Sequence, residues 1–446
     1  MPRLDEHPTV LRYREKQQSL KPFSPPPRMN VATLRQMCLD LGADDVGFVE
    51  INRTELDGQR EDILKIFPWT RSLISFVGRI NRENLRSPAR SIASLELHQV
   101  GDRLDGAAHR LTGALERMGV RAVTPPVAFP MEMDNWLGKM FVVSHKPVAV
   151  AAGLGAMGLH RNVIHPVFGS HVLLNTVLID AELDEYSRPL DYNPCLDCKL
   201  CAAACPTGAI GPDGFFNPVN CLTHSYRELV GGVTDWVENV ADSRDSADYR
   251  RRVSDAETVS LWQSLAHGSC YKSVYCLAAC PAGDDVIPQY LTDKKQYIED
   301  VVRPLQKKEE PVYVLPGSDA ELHVQRTFPH KKIRHVGNGV RPPTIASFLV
   351  LMPRAFQRHQ SEGLDATYHF TFTGKEQATA TVLIKNKTIK VTPGHTGTAD
   401  VQISADAKTW LRVMHKDSSM VKEIIFRKIR VKGPMKLFKA FGKCFV

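Results

Sequence analysis

Apolar and polar positions change rhythm several times along the chain. Thr33–Leu41 has helical spacing, Val46–Ile51 reads as a short strand, and Ser72–Val77 (SLISFV) is a stronger β run. From Glu96 to Met118 apolar residues fall at Leu97, Val100, Leu104, Ala108, Leu111 and Leu115, a helical period, and Gly119 follows as a stop. Lys146–Ala152 runs into a glycine-rich turn, and His171–Ile179 (HVLLNTVLI) is apolar enough for a central strand. These alternations predict an α/β domain over residues 31–190, preceded by a polar arm, residues 1–30, that closes on FSPPPR.

The rhythm changes again toward the C-terminus. Residues 291–344 mix charges with PVYVLPG and GNGVRPP, and read as a linker with little regular core. Thr344–Phe356 is an apolar helix interrupted by Pro353. Ala366–Phe372, Ala378–Ile384, Thr388–Thr392 and Asp400–Ser404 read as antiparallel strands, Lys408–Met414 as a helix, and IRVKGP leads into a final amphipathic helix. That is a second, α+β domain over residues 345–446, and no solenoid period is present.

With 446 residues, 43% hydrophobic and 24% charged, the composition excludes a disordered chain. No apolar run approaches the ~18 residues of a membrane span, and the first residues lack a secretory signal, which points to the cytoplasm. Residues 361–446 hold 15 Lys and Arg against 7 Asp and Glu, so they carry the whole net charge of +8. Plain solvation, attraction to an anionic membrane or protein surface, and nucleic-acid binding all fit such a balance. The scatter of the charges over alternating strands favours the first, and no nucleic acid is expected.

Eight of the ten cysteines lie between residues 191 and 290. Cys195-x2-Cys198-x2-Cys201-x3-Cys205-Pro206 has the spacing of a ferredoxin-type iron–sulfur run, and Cys270-x5-Cys276-x3-Cys280-Pro281 is an imperfect second copy, with Cys221 between them. In a reducing compartment this count fits two [4Fe–4S] clusters. Reciprocal exchange of the fourth ligand assigns Cys195, Cys198, Cys201 and Cys280 to one cluster and Cys205, Cys221, Cys270 and Cys276 to the other. Two zinc sites or disulfides are the competing readings, and the spacing argues against both. Cys38 and Cys444 read as spectators.

The turn after Lys146 carries Gly153, Gly155 and Gly158, which permit close backbone approach and positive φ. The match to G-x-G-x-x-G lacks the acidic residue that closes a dinucleotide-binding unit. A corrinoid edge, a structural turn, and a flavin or nucleotide all remain open. His145, Lys146, His160, Arg161 and His165 surround the turn and could move protons or hold a carboxylate or phosphate.

The two cysteine motifs, with Cys221 in CLTHSYRE between them, resemble the epoxyqueuosine reductase and reductive dehalogenase family. The likeness continues in AGLGAMGLHRNVIHPVFGS, residues 152–170, and covers roughly residues 31–290. It implies an α/β cofactor-type domain with a ferredoxin-like two-cluster insert over 191–290, feeding electrons from a ferredoxin or flavodoxin to a cobalamin. Gly153, Gly155, Gly158, Arg161, Asn162, Gly169 and Ser170 would bind the cofactor, and Asp134, His145 and Lys146 would be the catalytic candidates. Departures are plain: the family's acidic donor pattern is missing, Asp134 stands some five residues too early, and Ala156 replaces a usual tryptophan. Tyr368–Phe372, TATVLIKNKTIKV, DVQISADAKTWLRVM and IRVKGPMKLFKAF resemble the sterol carrier protein 2 family over about residues 345–446. That implies a curved five-stranded sheet with helices around an apolar tunnel for a lipid or other hydrophobic small molecule.

Together these features predict an iron–sulfur reductase acting on an organic, hydrophobic substrate. A non-catalytic electron-transfer protein, or a lipid-binding carrier with structural clusters, is the alternative.

Overall fold

The computed structural model describes residues 3–17, 28–133, 140–337 and 341–445. The first layer is helix α1 (Val31–Asp40), started by Asn30, whose side chain accepts the Thr33 amide while Asp184 holds Asn30 and the Val31 amide. Strands β1 (Asp45–Glu50) and β2 (Ser72–Arg79) follow, then the long helix α2 (Arg90–Arg117), β3 (Ala122–Val123), α3 (His145–Ala151) and β4 (Val172–Ile179). The sheet order is β1-β2-β4-β3, and every pairing is antiparallel.

Both faces of this sheet are covered, which is why its strands are nearly continuously apolar. Ile74, Phe76, Val177 and Ile179 face α1 and α2, while Leu73, Val77, Leu174 and Leu178 face the side of α3. Gly78 is dictated by this packing, since a Cβ there would lie 2.9 Å from both Leu104 and Val100 of α2. The long helix begins six residues before the apolar period, because its first buried positions include polar Ser94 and Glu96. Glu96 accepts from the Asn81 amide and the Asn84 side chain, so its burial is satisfied.

Beyond β4 lie α4 (Leu200–Ala204), α5 (Pro218–Ser225) and α6 (Tyr275–Ala278). The ferredoxin-like two-cluster insert expected over 191–290 is corrected here. Leu200, Ala204, Tyr275, Ala278 and Ala279 join the same apolar core as α1 and α2, and among the described residues no group of three or more His, Cys, Asp or Glu could hold a metal ion.

The linker expected over 291–344 also differs. β5 (Val312–Val314), α7 (Asp319–Thr327) and β6 (Ile333–His335) form a small unit in which β5 and β6 pair in parallel, over a core of Val312, Val314, Ala320, Val324 and Phe328. Strands of three residues are too short for alternation to reveal.

The C-terminal part opens with α8 (Ile345–Ala355), capped by Thr344 and containing Pro353. Strands β7 (Ala366–Thr373), β8 (Ala378–Lys385), β9 (Thr388–Pro393) and β10 (Val401–Asp406) follow, then α9 (Ala407–Met414), α10 (Met420–Ile425), β11 (Ile429–Lys432) and α11 (Met435–Lys443). The order is β9-β8-β7-β10-β11. The all-antiparallel expectation is corrected at the centre, where β7 and β10 run parallel. The β8–β9 hairpin occupies one side of β7, so the returning chain can pair only on the other. Ala366, Tyr368, Phe370 and Phe372 alternate inward and meet Trp410 of α9, Phe348 of α8 and Phe441 of α11. Among the described residues no helix is long and apolar enough to cross a membrane.

Candidate functional site

The cysteine-rich stretch folds so that its thiols fall into two neighbourhoods. Cys201 feels Cys280, Cys198 and Cys195, while Cys276 feels Cys221 and Cys205 and, less strongly, Cys201 across the two. Burial first, and these neighbours second, push the Cys201 thiol up to about 12, and burial, partly offset by hydrogen bonds from Ala282 and Ser170, takes the Cys280 thiol up to about 11. Burial likewise raises Cys221 to about 11 and Cys276 well above its ordinary value. Cys270 Sγ lies 3.9 Å from the Gly268 carbonyl, and its amide donates to Ser264 Oγ. Cys38 and Cys444 are buried in apolar cores.

The expectation of two [4Fe–4S] clusters is therefore corrected. The thiols are neighbours, but no three of the described His, Cys, Asp or Glu side chains form a group that could hold a metal ion, and all ten cysteines are free thiols. The iron–sulfur reductase built on those clusters falls with it, as does the metal-centred part of the family resemblance.

The glycine segment has a different task from the one expected. A Cβ on Gly153 would strike the Arg188 carbonyl, one on Gly155 would lie 2.6 Å from Val163 Cγ1, and one on Gly158 would lie 2.6 Å from Ile164 Cδ1. One on Gly169 would strike the Ala282 carbonyl. The space beside each glycine is taken by the chain itself, so the cobalamin cradle is corrected to a backbone seam. Asp284 and Asp285 donate their amides to the Pro166 and Val167 carbonyls at 2.9 and 3.0 Å. Ser170 Oγ donates to the Leu277 carbonyl at 3.0 Å, and Arg161 reaches the Gly214 carbonyl at 2.9 Å. This seam joins the α/β layer to the cysteine-rich stretch.

Of the catalytic candidates, Asp134 lies outside the described residues. His145 is buried with both ring nitrogens engaged, Nδ1 with Thr176 Oγ1 at 2.9 Å and Nε2 with the Pro126 carbonyl at 3.0 Å. Burial pulls its pKa down, and it acts as a neutral brace. Lys146 donates to the Arg161 carbonyl and Asn162 Oδ1, each at 2.8 Å, and lies within electrostatic reach of Cys276 and Cys221. Lys146, Arg161, Asn162, Gly169 and Ser170 are thus drawn to one seam, away from His145.

Sequence reasoning missed a buried charge network behind the cysteines. Arg227 bridges Asp235 at 2.7 Å and Glu257 at 3.0 Å, and Lys272 pairs with Glu228, which also accepts from Ser260 and Ser264. Each residue is ordinary in type and far from its partner in sequence, so no local pattern announces the group. Also missed was an open groove of about 900 Å³ between residues 83–88 and 288–304, lined in part by Arg86, Asp293, Tyr297 and Asp300.

Three buried histidines give the fold a pH dependence. Burial, aided by Lys146, lowers His160 to about 4; burial, aided by Arg86 and Arg82, lowers His171 to about 3; burial, aided by Lys331 and Lys272, lowers His224 to about 3. An unfolded histidine titrates near 6.5. Between that value and 3–4 the unfolded chain binds more protons, so stability is full above pH 6.5 and is lost as pH falls. Moving from pH 7.5 to 5 should cost on the order of 1–2 kcal/mol per imidazole, read as a fall in the urea midpoint. An unchanged midpoint would mean these rings are solvated.

Comparison with known proteins divides the chain in two. Residues 353–446 match the SCP-2 sterol transfer family. Elsewhere the similarity is to epoxyqueuosine reductases, 33% identical over 108 residues in that of Cyclobacterium marinum and 28% over 102 residues in that of Escherichia coli. These alignments cover 23% of this chain in both cases, and 34% and 26% of the relatives, so only about a third or less of each curated relative is spanned. Among solved structures, an epoxyqueuosine reductase from Streptococcus thermophilus matches with a TM-score of 0.33 at 16% identity, covering 61% of this chain and 75% of that one. The apo sterol carrier protein 2 of Yarrowia lipolytica matches with a TM-score of 0.20 at 13% identity, covering 22% and 90% respectively. Sequence similarity therefore ties the chain to reductases at the superfamily level and its C-terminal domain to sterol transfer proteins.

Proposed function

We propose that this chain is a carrier of a hydrophobic small molecule, of the fatty-acyl or sterol class, bound by residues 345–446 and built onto an oxidoreductase-type scaffold. The observation that carries the reading is the sterol-transfer match over residues 353–446, which falls on a domain with its own core. The ligand would enter against the inward face of β7 by parting Phe370, Phe372 and Trp410, whose rings are in contact, and among these aromatic groups a long apolar chain loses no hydrogen bond. The reductase relatives support oxidoreductase character for the remaining scaffold at the superfamily level.

Trp410 is a built-in reporter, since it stands at the centre of that core. Titrating the full chain with a fluorescent fatty-acyl probe and a fluorescent sterol should quench tryptophan emission with a stoichiometry near one for at least one of them. Trp410→Phe should remove most of the quench while leaving probe uptake in place. A full chain that takes up neither probe would overturn the carrier reading.

A further inference from the structure

We propose that α10 and the start of β11 form a docking surface for an anionic lipid bilayer. Val421 and Ile425 stand four residues apart on one side of α10, and Phe426 follows its last turn. They are 66%, 70% and 65% exposed, which is unusual for three large apolar side chains side by side. The other side of the same element faces inward, Ile424 and Met420 packing against the core of the C-terminal domain.

Charge selects the partner. Between residues 418 and 432 the chain has five cations, Lys422, Arg427, Lys428, Arg430 and Lys432, and all are exposed. The one acid of that stretch, Glu423, is turned inward, 2% exposed and accepting from Ser418 Oγ at 2.5 Å. Asp417, exposed just before this stretch, is the nearest acid in sequence, so an approaching anionic surface meets apolar tips and five cations against one exposed carboxylate. Three apolar side chains are too few for a stable protein interface, which needs roughly 800 Å² per partner. They suit reversible adsorption, in which apolar tips enter the headgroup boundary and each nearby cation adds roughly fivefold in affinity.

This inference goes beyond the carrier reading and fails separately from it, because ligand uptake and vesicle binding are measured independently. The full chain is sedimented with phosphatidylcholine vesicles containing or lacking phosphatidylglycerol. Wild type should pellet with the former and stay in solution with the latter. Ile425→Ser with Phe426→Ser should weaken partitioning by about tenfold or more, and Arg430→Glu with Lys432→Glu, which leaves the Lys428–Glu423 pair in place, by roughly 25-fold or more. Both pairs are exposed, so circular dichroism should be unchanged. Arg117→Glu with Lys295→Glu makes the same change in net charge elsewhere and should leave binding nearly intact. Equal loss in that control, binding by the α10 variants as strong as wild type, or no binding by wild type would overturn the proposal. So would a dimer in sedimentation velocity that Ile425→Ser with Phe426→Ser abolishes while vesicle binding persists, since the patch would then belong to a second copy.

Discussion

Trp410→Ala should remove about 3–5 kcal/mol from the stability of the C-terminal domain, the range found when a large buried aromatic is truncated. The indole is 2% exposed and sits between three rings, with centroids 5.6 Å from Phe348, 5.6 Å from Phe370 and 5.7 Å from Phe372. Phe348 comes from α8 and Phe370 and Phe372 from β7, with Trp410 between them, so the cavity left by alanine can collapse only if α8 shifts against the sheet. Among the described residues the indole nitrogen has no hydrogen-bond partner. Trp410→Phe therefore gives up packing but no polar contact, and should cost only about 1–2 kcal/mol. Denaturant unfolding followed by far-ultraviolet circular dichroism separates the two variants. A loss below about 1 kcal/mol for alanine would mean the core is loosely filled.

The second large effect is expected at the seam. Gly169 has φ +65°, and a Cβ there would meet the Ala282 carbonyl; across the contact, a Cβ on Gly283 would lie 2.6 Å from Gly169 Cα. Gly169→Ala should cost about 2–5 kcal/mol, combining a left-handed backbone penalty with overpacking. Gly394 separates the two causes. Its φ is +78°, yet nothing lies within 4 Å of a Cβ built on it. Gly394→Ala should show the backbone penalty alone, about 1–2 kcal/mol. If thermal unfolding gives the two variants the same loss, the backbone contact at the seam contributes nothing.

Much of the fold is legible where burial is one-sided or complete. Leu97, Val100, Leu104, Leu111 and Leu115 mark the long helix, and Tyr368, Phe370 and Phe372 mark a strand, because an apolar period is a direct image of a buried face. The parallel pairing of β7 with β10 is not legible, since which neighbour a strand takes depends on residues far along the chain. The site reads less well. Cysteine spacing brings Cys195, Cys198, Cys201 and Cys280 to one neighbourhood, yet spacing is silent on where each thiol points, as Cys270 illustrates. Glycines at 153, 155, 158 and 169 signal close approach without saying to what. Backbone and cofactor make the same demand on a missing Cβ, and here the backbone takes the space.

The apolar core common to α2 and α6 bears on how this chain can be divided. Severing it after residue 190 would bare Tyr275, Ala278 and Ala279 on one fragment and Leu97, Val100 and Leu104 on the other, so neither half is a transplantable module. The boundary near residue 344 is of another kind. Arg358 pairs with Asp213 at 2.8 Å and lies over Phe215, Gln357 accepts from the Asp319 amide, and each unit keeps its own buried side chains. Recombination at that point would strand a few polar contacts and the outer face of α8, a loss that a surface substitution or two can repair. The C-terminal domain is thus the part whose core is its own, whereas α2 and α6 share theirs.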